Sequence, residues 1–383
     1  MDITGIICEY NPLHLGHKKQ FDRIKSEYPD TGIVCLMSGN YVQRGYPAVM
    51  DKSLRAEAAI RSGADLVLEL PVTASLSSAE GFAAEGVRIL GSFCNRLCFG
   101  AETADKESLL AVAQALLSDA FSEKLRTELD KGISFPAARQ AALQAMGVQA
   151  DTLSLPNDIL ATEYCKAILQ QKSPTEPMPI VREGSYHDTS IDQENPSATA
   201  LRACMADNGD WLRYVPEEAR TVFADGKLHT LSAGEQAILY RLRTMTDGEF
   251  EALPYGSEGL WRKLMHNARK LSTLEEIITA TKSKRYTRTR LDRMVMCAFL
   301  GITQNDMDSP VPYTRVLALN DKGREILKSA RKTGLFPNAG EWMDSAYQDL
   351  EYRAGMVYSL FSVADPTLYR EDDRRIYYKK EME

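Results

Sequence analysis

Strand and helix signals alternate through the first hundred residues, and this alternation restricts the fold more than any other feature of the sequence. Short apolar runs predict four strands, at 3–8, 32–37, 64–70 and 96–99. Helical patterns separate them, at 15–28, 52–62 and 79–90. Such alternation predicts βαβ units around a parallel sheet. The near-continuous apolar character of the strands fits burial on both faces.

The pattern changes along the rest of the chain. Helices are predicted at 107–149 with a break near 132–136, and then at 156–171 and 197–206, with a further strand at 177–183. Amphipathic helices follow at 231–245, 259–270, 289–300, 322–332 and 346–361, with a strand-like segment at 316–319. We therefore predict the α/β class, with a Rossmann-like parallel-sheet domain over 1–215 and a mainly α-helical domain over 216–383.

Composition and charge exclude several classes of protein. Of the 383 residues, 44% are apolar and 26% are charged, which is ordinary for a globular chain and not for a disordered tail, a collagen or a coiled-coil rod. No apolar run approaches the ~20 residues of a membrane helix, and the N-terminus lacks signal-peptide features. Seven cysteines, most of them in apolar runs, indicate reduced core thiols. We expect a cytoplasmic protein that does not contact a membrane.

The charge is unevenly distributed. The whole chain carries a net charge of -7, but residues 258–332 hold 16 Lys and Arg against 8 Asp and Glu. Charge asymmetry of this kind indicates a partner surface. The alternative is a solvated basic helix face, and the charge count alone does not separate the two interpretations.

The first predicted strand runs directly into a segment that can bind phosphate. Pro12 ends the strand, and His14, Gly16 and His17 follow at the start of the next helix. In open α/β folds this places the helix N-terminus at the ligand-binding edge of the sheet, where free N–H groups favour an anion. Two imidazoles on one helical face could stabilise charge that develops during a displacement at phosphorus. Two surface histidines at a helix start are the alternative interpretation.

The H-L-G-H tetrapeptide resembles the HxGH form of the signature shared by nucleotidyltransferases and class I aminoacyl-tRNA synthetases. The chain as a whole resembles the family of tRNA(Met) cytidine acetate ligases. The ordered segments that carry this resemblance are GIICEYNPLHLGH, SGNYVQRGYPAVMDK, ADLVLELP, LCFGAE, PNDILATEY, YHD, SATALR and KRYTRTRLDR. They extend from residue 5 to about residue 293, so the resemblance covers most of the chain.

The resemblance implies a Rossmann-like nucleotidyltransferase domain and a defined reaction. Acetate attacks the α-phosphate of ATP to give acetyl-adenylate and pyrophosphate. The N4 amine of the wobble cytidine of elongator tRNA(Met) then attacks the acetyl carbon, giving N4-acetylcytidine and AMP. The implied partners are ATP, acetate and this tRNA. Mg²⁺ is expected with ATP, and no tightly bound metal is expected. Positioning and charge stabilisation carry such chemistry without a protein nucleophile.

The resemblance also implies site residues. The catalytic residues implied are His14, His17 and Arg202. The implied ATP-binding residues are Ile7, Cys8, Glu9, Tyr10, Asn11, Pro12, Leu13, His14, Gly16, His17, Gly100, Asn157, Arg182, Ser197 and Thr199. The pattern Ser197–Arg202 by itself predicts a capped helix whose first turns present a hydroxyl and a guanidinium to phosphate. Asn157 is open to a second interpretation as an ordinary helix cap, and His187 to one as a structural histidine paired with Asp188.

Two further segments carry side chains that suit a substrate. The loop 38–45 mixes amide, aromatic and guanidinium groups between glycines, which is typical of a mobile loop that contacts substrate. Lys52, which follows it, is interpreted either as a phosphate contact or as a surface lysine. A basic segment, defined by Lys282, Lys284, Arg285, Tyr286, Arg288 and Arg290, precedes an apolar helix capped by Thr287 or Thr289. We expect this basic segment to contact the tRNA backbone, with Tyr286 able to stack on an unpaired base.

Two other functions stay open at this point. A small-molecule adenylyltransferase of the HxGH class would use the same N-terminal motif, but it would leave the basic C-terminal half unexplained. A non-catalytic RNA-binding protein would explain the basic half, but not the complete set of His14, Gly16, His17 and Arg202. The sequence does not give the oligomeric state, and it does not separate acetate from a slightly larger acid.

Overall fold

The computed structural model describes residues 1–148, 153, 155–182, 197–336, 346–364 and 375–380. The strands in this part of the chain are β1 (Ile3–Cys8), β2 (Gly32–Ser38), β3 (Tyr41–Val42), β4 (Tyr46–Pro47), β5 (Leu66–Leu70), β6 (Arg96–Ala101), β7 (Glu176–Val181), β8 (Val316–Asn320) and β9 (Tyr377–Lys379). Seven of them form one sheet in the order β7-β6-β1-β2-β5-β8-β9, and β3 and β4 form a separate hairpin.

Helices cover both faces of the sheet and extend beyond it. They are α1 (Leu15–Glu27), α2 (Lys52–Ser62), α3 (Val72–Ser75), α4 (Ala79–Leu90), α5 (Lys106–Leu116), α6 (Asp119–Leu129), α7 (Phe135–Gln144), α8 (Pro156–Gln170), α9 (Ala198–Ala206), α10 (Glu217–Ala224), α11 (Glu235–Thr244), α12 (Asp247–Glu251), α13 (Leu260–Lys270), α14 (Leu274–Thr281), α15 (Arg288–Leu300), α16 (Gln304–Asp308), α17 (Asp321–Ala330) and α18 (Ala346–Tyr358). No described helix combines the length and the apolarity that crossing a bilayer requires.

The sheet is parallel from β7 to β5, and its strand order changes direction at β1. The chain passes from β1 to β2 and β5 on one side, and returns to β6 and β7 on the other. The carboxyl ends of β1 and β6 therefore form a topological switch point, which is where open α/β sheets bind ligands. This confirms the predicted α/β class with a largely parallel sheet.

The strands are buried because apolar helices pack on each face. One core lies between the sheet and the helices α4, α5, α8 and α17, and includes Leu36, Leu68 and Phe99. A second core lies between the other face and α1, α2 and α10, and includes Phe21, Met37 and Phe223. Burial on both faces explains why the strands read as apolar runs instead of alternating patterns.

The C-terminal half contributes to this sheet, which the two-domain prediction did not include. Strand β8 pairs antiparallel with β5, and β9 pairs with β8. A third core joins α11, α13, α14, α15 and α18 into a helical cluster, with Leu264, Ile277 and Met294 fully buried. The packing therefore does not divide at residue 215, and the term C-terminal domain is best kept for this helical cluster.

Candidate active site

A cavity of about 890 Å³ opens at the switch point of the sheet. The predicted site residues that line it are Ile7, Cys8, Glu9, Tyr10, Asn11, His14, Gly16, His17, Gly100, Asn157, Arg182, Ser197, Thr199 and Arg202. They come from the ends of β1, β6 and β7 and from the starts of α1, α8 and α9, so segments far apart in sequence meet in one place. Pro12 and Leu13 do not line the cavity, and Leu13 instead packs in the core beneath α1.

His14 forms the N-cap of α1 and uses one ring nitrogen to do so. Its Nδ1 accepts a hydrogen bond from the backbone N–H of Gly16 at 3.1 Å. The His14 N–H in turn donates to Nδ1 of His17 at 3.2 Å, so the two imidazoles complete a capping box. Their ring centroids lie 3.8 Å apart. The two rings are thus held side by side at a helix N-terminus.

This arrangement fixes the protonation state of both rings. Burial lowers the pKa of His14 well below its usual range, and the nearby His17, Arg182 and Arg202 lower it further. Burial, together with the charge of Arg182, lowers the pKa of His17 to about 3. Both rings are therefore neutral at pH 7. Because each Nδ1 accepts a backbone N–H, the proton of each ring resides on Nε2.

The cap leaves one nitrogen of each ring unused. Nε2 of His14 is buried and has no hydrogen-bond partner among the described residues. A buried donor without a partner is costly, and a phosphate oxygen in the cavity would supply one. The two histidines thus offer Nε2–H donors at the point where the helix dipole also favours negative charge.

Gly16 lies in close contact with the His14 ring that makes the cap. A Cβ built at this position would lie 3.0 Å from Cε1 and 3.1 Å from Nδ1 of His14. A side chain here would therefore require the His14 ring to shift by a few tenths of an ångström. Gly100 differs, because a Cβ at that position would meet only the Cβ of Arg182, at an ordinary 3.8 Å. Protein packing does not require a glycine at 100, which leaves its bare backbone as open cavity wall.

Arg202 connects α9 to the segment between β1 and α1. Its Nη1 donates to the carbonyl oxygen of Asn11 at 2.7 Å, and its Nη2 donates to Oγ1 of Thr199 at 3.1 Å. Ser197 caps α9, since its Oγ accepts the N–H of Ala200 at 3.0 Å. The predicted capped helix with an arginine in its first turns is confirmed, and it places the guanidinium beside the end of β1.

Arg182 is held by a chain of polar side chains in which one member was not predicted. Its Nη1 donates to Oδ1 of Asn157 at 2.9 Å, and Nδ2 of Asn157 donates to Oε1 of Glu102 at 2.7 Å. Glu102 also accepts the backbone N–H groups of Asn157 and Asp158, so Glu102 caps α8 and Asn157 is not its cap. The signal that could have revealed Glu102 is its place directly after the strand, in the segment LCFGAE. His187 and Asp188 lie outside the described residues.

The loop 38–45 forms most of the β3–β4 hairpin, which closes one side of the cavity. Gln43, Arg44 and Tyr46 line the cavity from this hairpin. The backbone N–H of Gln43 donates to Oε1 of Glu9 at 2.8 Å, and its side chain donates to the carbonyl of Ser77 at 3.3 Å. Gln43 and Arg44 belong to the loop that the sequence predicts to contact substrate, whereas Tyr46 was not singled out, because a two-residue strand leaves no periodic signal.

Lys52 is neither a phosphate contact nor a surface residue, so both interpretations from the sequence are wrong. It is 2% exposed, and its Nζ lies 2.7 Å from Oε1 of Glu69 on β5. Arg55, one turn further on, donates from Nη1 to the carbonyls of Glu9 at 2.6 Å and Ser38 at 3.1 Å. The start of α2 therefore binds the ends of β1, β2 and β5 together.

The basic segment is only partly free for a ligand. Arg285 and Tyr286 both bind Glu258, at 2.6 and 2.7 Å. Arg288 pairs with Glu275 and Asp292, and Arg290 donates to the carbonyl of Tyr255. Acids of the same helical cluster therefore engage several of these cations, and the contact of the basic segment with tRNA stays a prediction.

The cations of the basic segment still lie at the surface. Lys282, Lys284 and Arg285 are exposed, while Tyr286, Arg288 and Arg290 are half-buried. Of the two predicted caps of α15, Thr287 and Thr289, the structure uses Thr287, whose Oγ1 accepts the N–H of Arg290. Within the described part of the chain, no group of three or more His, Cys, Asp or Glu side chains could hold a metal ion.

Comparisons with known proteins agree with this geometry. A family model described as HIGH nucleotidyl transferase matches residues 1–372. A tRNA(Met) cytidine acetate ligase of Clostridium acetobutylicum is 37% identical over 361 residues, covering 88% of this chain and 89% of the relative. A ligase of the same name from Clostridium novyi is 38% identical over 357 residues, covering 88% and 89%.

Two solved structures have the same fold. The apo crystal structure of Thermotoga maritima TmcAL matches with a TM-score of 0.90 at 30% identity and covers 100% of both chains. A second crystal structure of that protein, bound with alpha-thio ATP, matches with a TM-score of 0.87 at 28% identity, covering 99% of this chain and 100% of the other.

Proposed function

This chain belongs to the tRNA(Met) cytidine acetate ligase family of HIGH nucleotidyltransferases, and from that premise we propose that it acetylates N4 of the wobble cytidine of elongator tRNA(Met), using acetate and ATP. A Thermotoga maritima protein of the same fold binds an ATP analogue. The observation in this chain that carries the proposal is the pair of neutral, capped imidazoles in the cavity at the switch point.

ATP fits the charge of the cavity. The cations that line it are Lys19, Arg23, Arg44, Arg182 and Arg202. We place the phosphates at the N-terminus of α1, against the Nε2–H groups of His14 and His17, and between Arg182 and Arg202. The bare backbone at Gly100 is suited to the adenosine. Arginine forks and a helix N-terminus are both preferred partners of phosphate oxygens.

The first step would be the attack of an acetate oxygen on the α-phosphate, with pyrophosphate leaving. Negative charge accumulates on the phosphate oxygens as the displacement proceeds. Neutral Nε2–H donors that are already oriented stabilise that charge without reorganisation. Mg²⁺ would accompany ATP on the phosphate oxygens, and we assign it no protein ligand.

The second step would use tRNA delivered to the same cavity. The target amine attacks the acetyl carbon and AMP leaves. We propose that the basic segment and the neighbouring helix α13 hold the tRNA backbone, and that the protein acts in the cytoplasm, where tRNA is modified. The backbone of Asp292 and Arg293 packs against Gly45 at the turn of the β3–β4 hairpin, so this surface adjoins the cavity.

Pyrophosphate exchange tests the proposed activity. The protein is incubated with ATP, labelled pyrophosphate and a series of short carboxylic acids, without tRNA. We expect exchange into ATP that depends on acetate. Exchange or transfer onto a nucleotide without any acid would instead indicate a small-molecule adenylyltransferase. Absence of exchange with every acid would indicate a binding protein.

Charge reversal tests the tRNA surface. We expect the double variant Lys282→Glu, Lys284→Glu to weaken tRNA binding and to flatten its salt dependence, because fewer counterions are released. Acetate-dependent pyrophosphate exchange should be unchanged. The control is Lys131→Glu, Lys172→Glu, which changes the net charge equally on lysines of the N-terminal half. Binding that is equal in the two double variants would exclude this segment as the tRNA surface.

A further inference from the structure

Transfer of the acetyl group requires a proton acceptor. The exocyclic amine of cytidine is a weak nucleophile, and it must lose a proton once its nitrogen bonds to the acetyl carbon. General bases typically contribute 10²–10⁴-fold to such a step. The acceptor must lie in the cavity where the acetyl-adenylate is held, so the lining residues define the candidates.

Most titratable groups in the cavity are unsuited to accept this proton. The Nδ1 lone pairs of His14 and His17 are engaged by backbone N–H groups, so protonation would break the cap of α1. Burial raises the pKa of the Cys8 thiol and of the Tyr10 and Tyr164 phenols well above their usual ranges. Those three groups therefore retain their own protons.

Two carboxylates remain among the described residues that line the cavity, Glu9 and Glu27. Glu27 is the last residue of α1 and pairs with Arg23 at 2.5 Å. At 1.5 Å per residue, it lies roughly 20 Å along the helix from His14. Glu9 directly follows β1, only five positions before His14 in the sequence. Glu9 is therefore the carboxylate at the catalytic end.

The structure holds the Glu9 carboxylate in a defined orientation. Its Oε1 accepts the backbone N–H of Gln43 at 2.8 Å, and its carbonyl oxygen accepts Nη1 of Arg55 at 2.6 Å. The charge of Glu9 also acts on Tyr46 of the hairpin. Burial raises the pKa of Tyr46, and Glu9 raises it further, whereas Arg202 and Arg44 lower it. Glu9 thus lies between the start of α1, which carries His14 and His17, and the hairpin that packs against α15.

We propose that Glu9 is the general base of the transfer step, an inference that rests on the proposed function. The N4 nitrogen bonds to the acetyl carbon. The bond from that carbon to the adenylate oxygen breaks, and both of its electrons leave with AMP. The N4 proton passes to the Glu9 carboxylate and from there to solvent. Formation of acetyl-adenylate involves no such proton, so it does not need Glu9 as a base.

The variant Glu9→Gln separates this role from a structural one. The amide oxygen of glutamine still accepts the Gln43 N–H, so hairpin docking is retained while the base is lost. Because Glu9 also lines the ATP cavity, acetate-dependent pyrophosphate exchange is measured in parallel, and it should fall far less than transfer does. Single-turnover transfer from synthetic acetyl-adenylate to tRNA, without ATP, should slow by about 10²–10⁴-fold. The control Glu27→Gln should change neither rate.

A second variant keeps the test decisive if Glu9→Gln does not fold. In Glu9→Ala, formate added to the same single-turnover assay should restore transfer, since without ATP it acts only as a base. Transfer at the unaltered rate in Glu9→Gln, equal loss of exchange and transfer, or no rescue by formate in a folded Glu9→Ala would each overturn the inference. None of these outcomes affects acetate-dependent exchange in the unaltered protein. Failure of the proposed function would instead appear as the absence of that exchange, so the two failures are distinguishable.

Discussion

At the scale of single residues, the two nitrogens of His14 have different roles. Nδ1 holds the helix N-terminus through Gly16, and Nε2 is buried without a described partner. Removing the whole ring would therefore change stability and chemistry together. A substitution that keeps the helix cap but removes the Nε2–H donor separates the effect on chemistry from the effect on stability.

We expect His14→Asn to keep most of the cap, because asparagine is a preferred N-cap residue. Its rate of acetyl-adenylate formation should fall by about 10²–10³-fold, the usual effect of losing one oriented donor at a developing charge. His14→Ala should show the same loss of rate and an added loss of roughly 1 kcal/mol in unfolding free energy. A folded His14→Asn or His17→Ala protein within tenfold of the unaltered rate would contradict the role given to these rings.

The neutral state of His17 predicts how stability depends on pH. Its pKa is about 3 in the folded protein, below the ordinary value of 6.5, so the unfolded chain binds the proton first. Its contribution to stability is therefore complete above pH 6.5 and is lost as pH falls towards 3. Between pH 6.5 and 4 the loss should be on the order of 3 kcal/mol.

Urea unfolding at several pH values checks this sign. His17→Gln can retain the capping box, since glutamine can accept the His14 N–H, but it has no proton to gain. Its unfolding free energy should decline less steeply than that of the unaltered protein over the same interval. Identical slopes in the two proteins would mean that His17 is not held neutral by the fold.

At the scale of elements, the β3–β4 hairpin connects the cavity to the helical cluster. A Cβ at Gly45, where φ is +86°, would lie 2.4 Å from the backbone nitrogen of Arg293. Only a glycine therefore allows α15 to approach the hairpin turn so closely. The same hairpin carries the N–H of Gln43 that orients Glu9.

Gly45→Ala should consequently displace the hairpin from α15. Its matched control is Gly132→Ala, where φ is +75° and no described atom would lie within 4 Å of an added Cβ. The control should lose only the backbone cost of about 1–2 kcal/mol. Gly45→Ala should lose more unfolding free energy in thermal denaturation, and transfer to tRNA should slow more than pyrophosphate exchange. Equal destabilisation of the two variants would show that the hairpin contact is not tight.

Elements with a strong local signal were predictable from the sequence. The bounds predicted for β1, α2 and α4 agree with the structure, because the apolar run of β1 stops before Glu9 and a glycine directly follows each of the two helices. In the stretch predicted at 107–149, the break expected near 132–136 separates α6 from α7, but the division at Ser118 between α5 and α6 was missed. The short helices α10, α12, α14 and α16 were missed, as each spans at most eight residues and carries too few turns to show a period.

At the scale of the whole molecule, contacts between distant segments were the least predictable feature. Glu69 on β5 binds both Lys52 and Arg315, and Arg315 also reaches Glu351 on α18. Nothing local in the sequence marks these four residues as a buried charge cluster. The motif HLGH and the Ser197–Arg202 pattern, by contrast, identified two of the helix starts at the cavity, those of α1 and α9, because the chemistry of each lies within a few residues.

The central claim is that one cavity forms acetyl-adenylate and then passes its acetyl group to tRNA. The most direct measurement incubates the protein with ATP and labelled acetate without tRNA, removes free reactants by rapid gel filtration, and adds tRNA together with excess unlabelled acetate. We predict that labelled acetyl-AMP is recovered with the protein and that the label then appears on N4 of the cytidine. Absence of any trapped acetyl-AMP, with AMP release only when tRNA is present, would contradict the account.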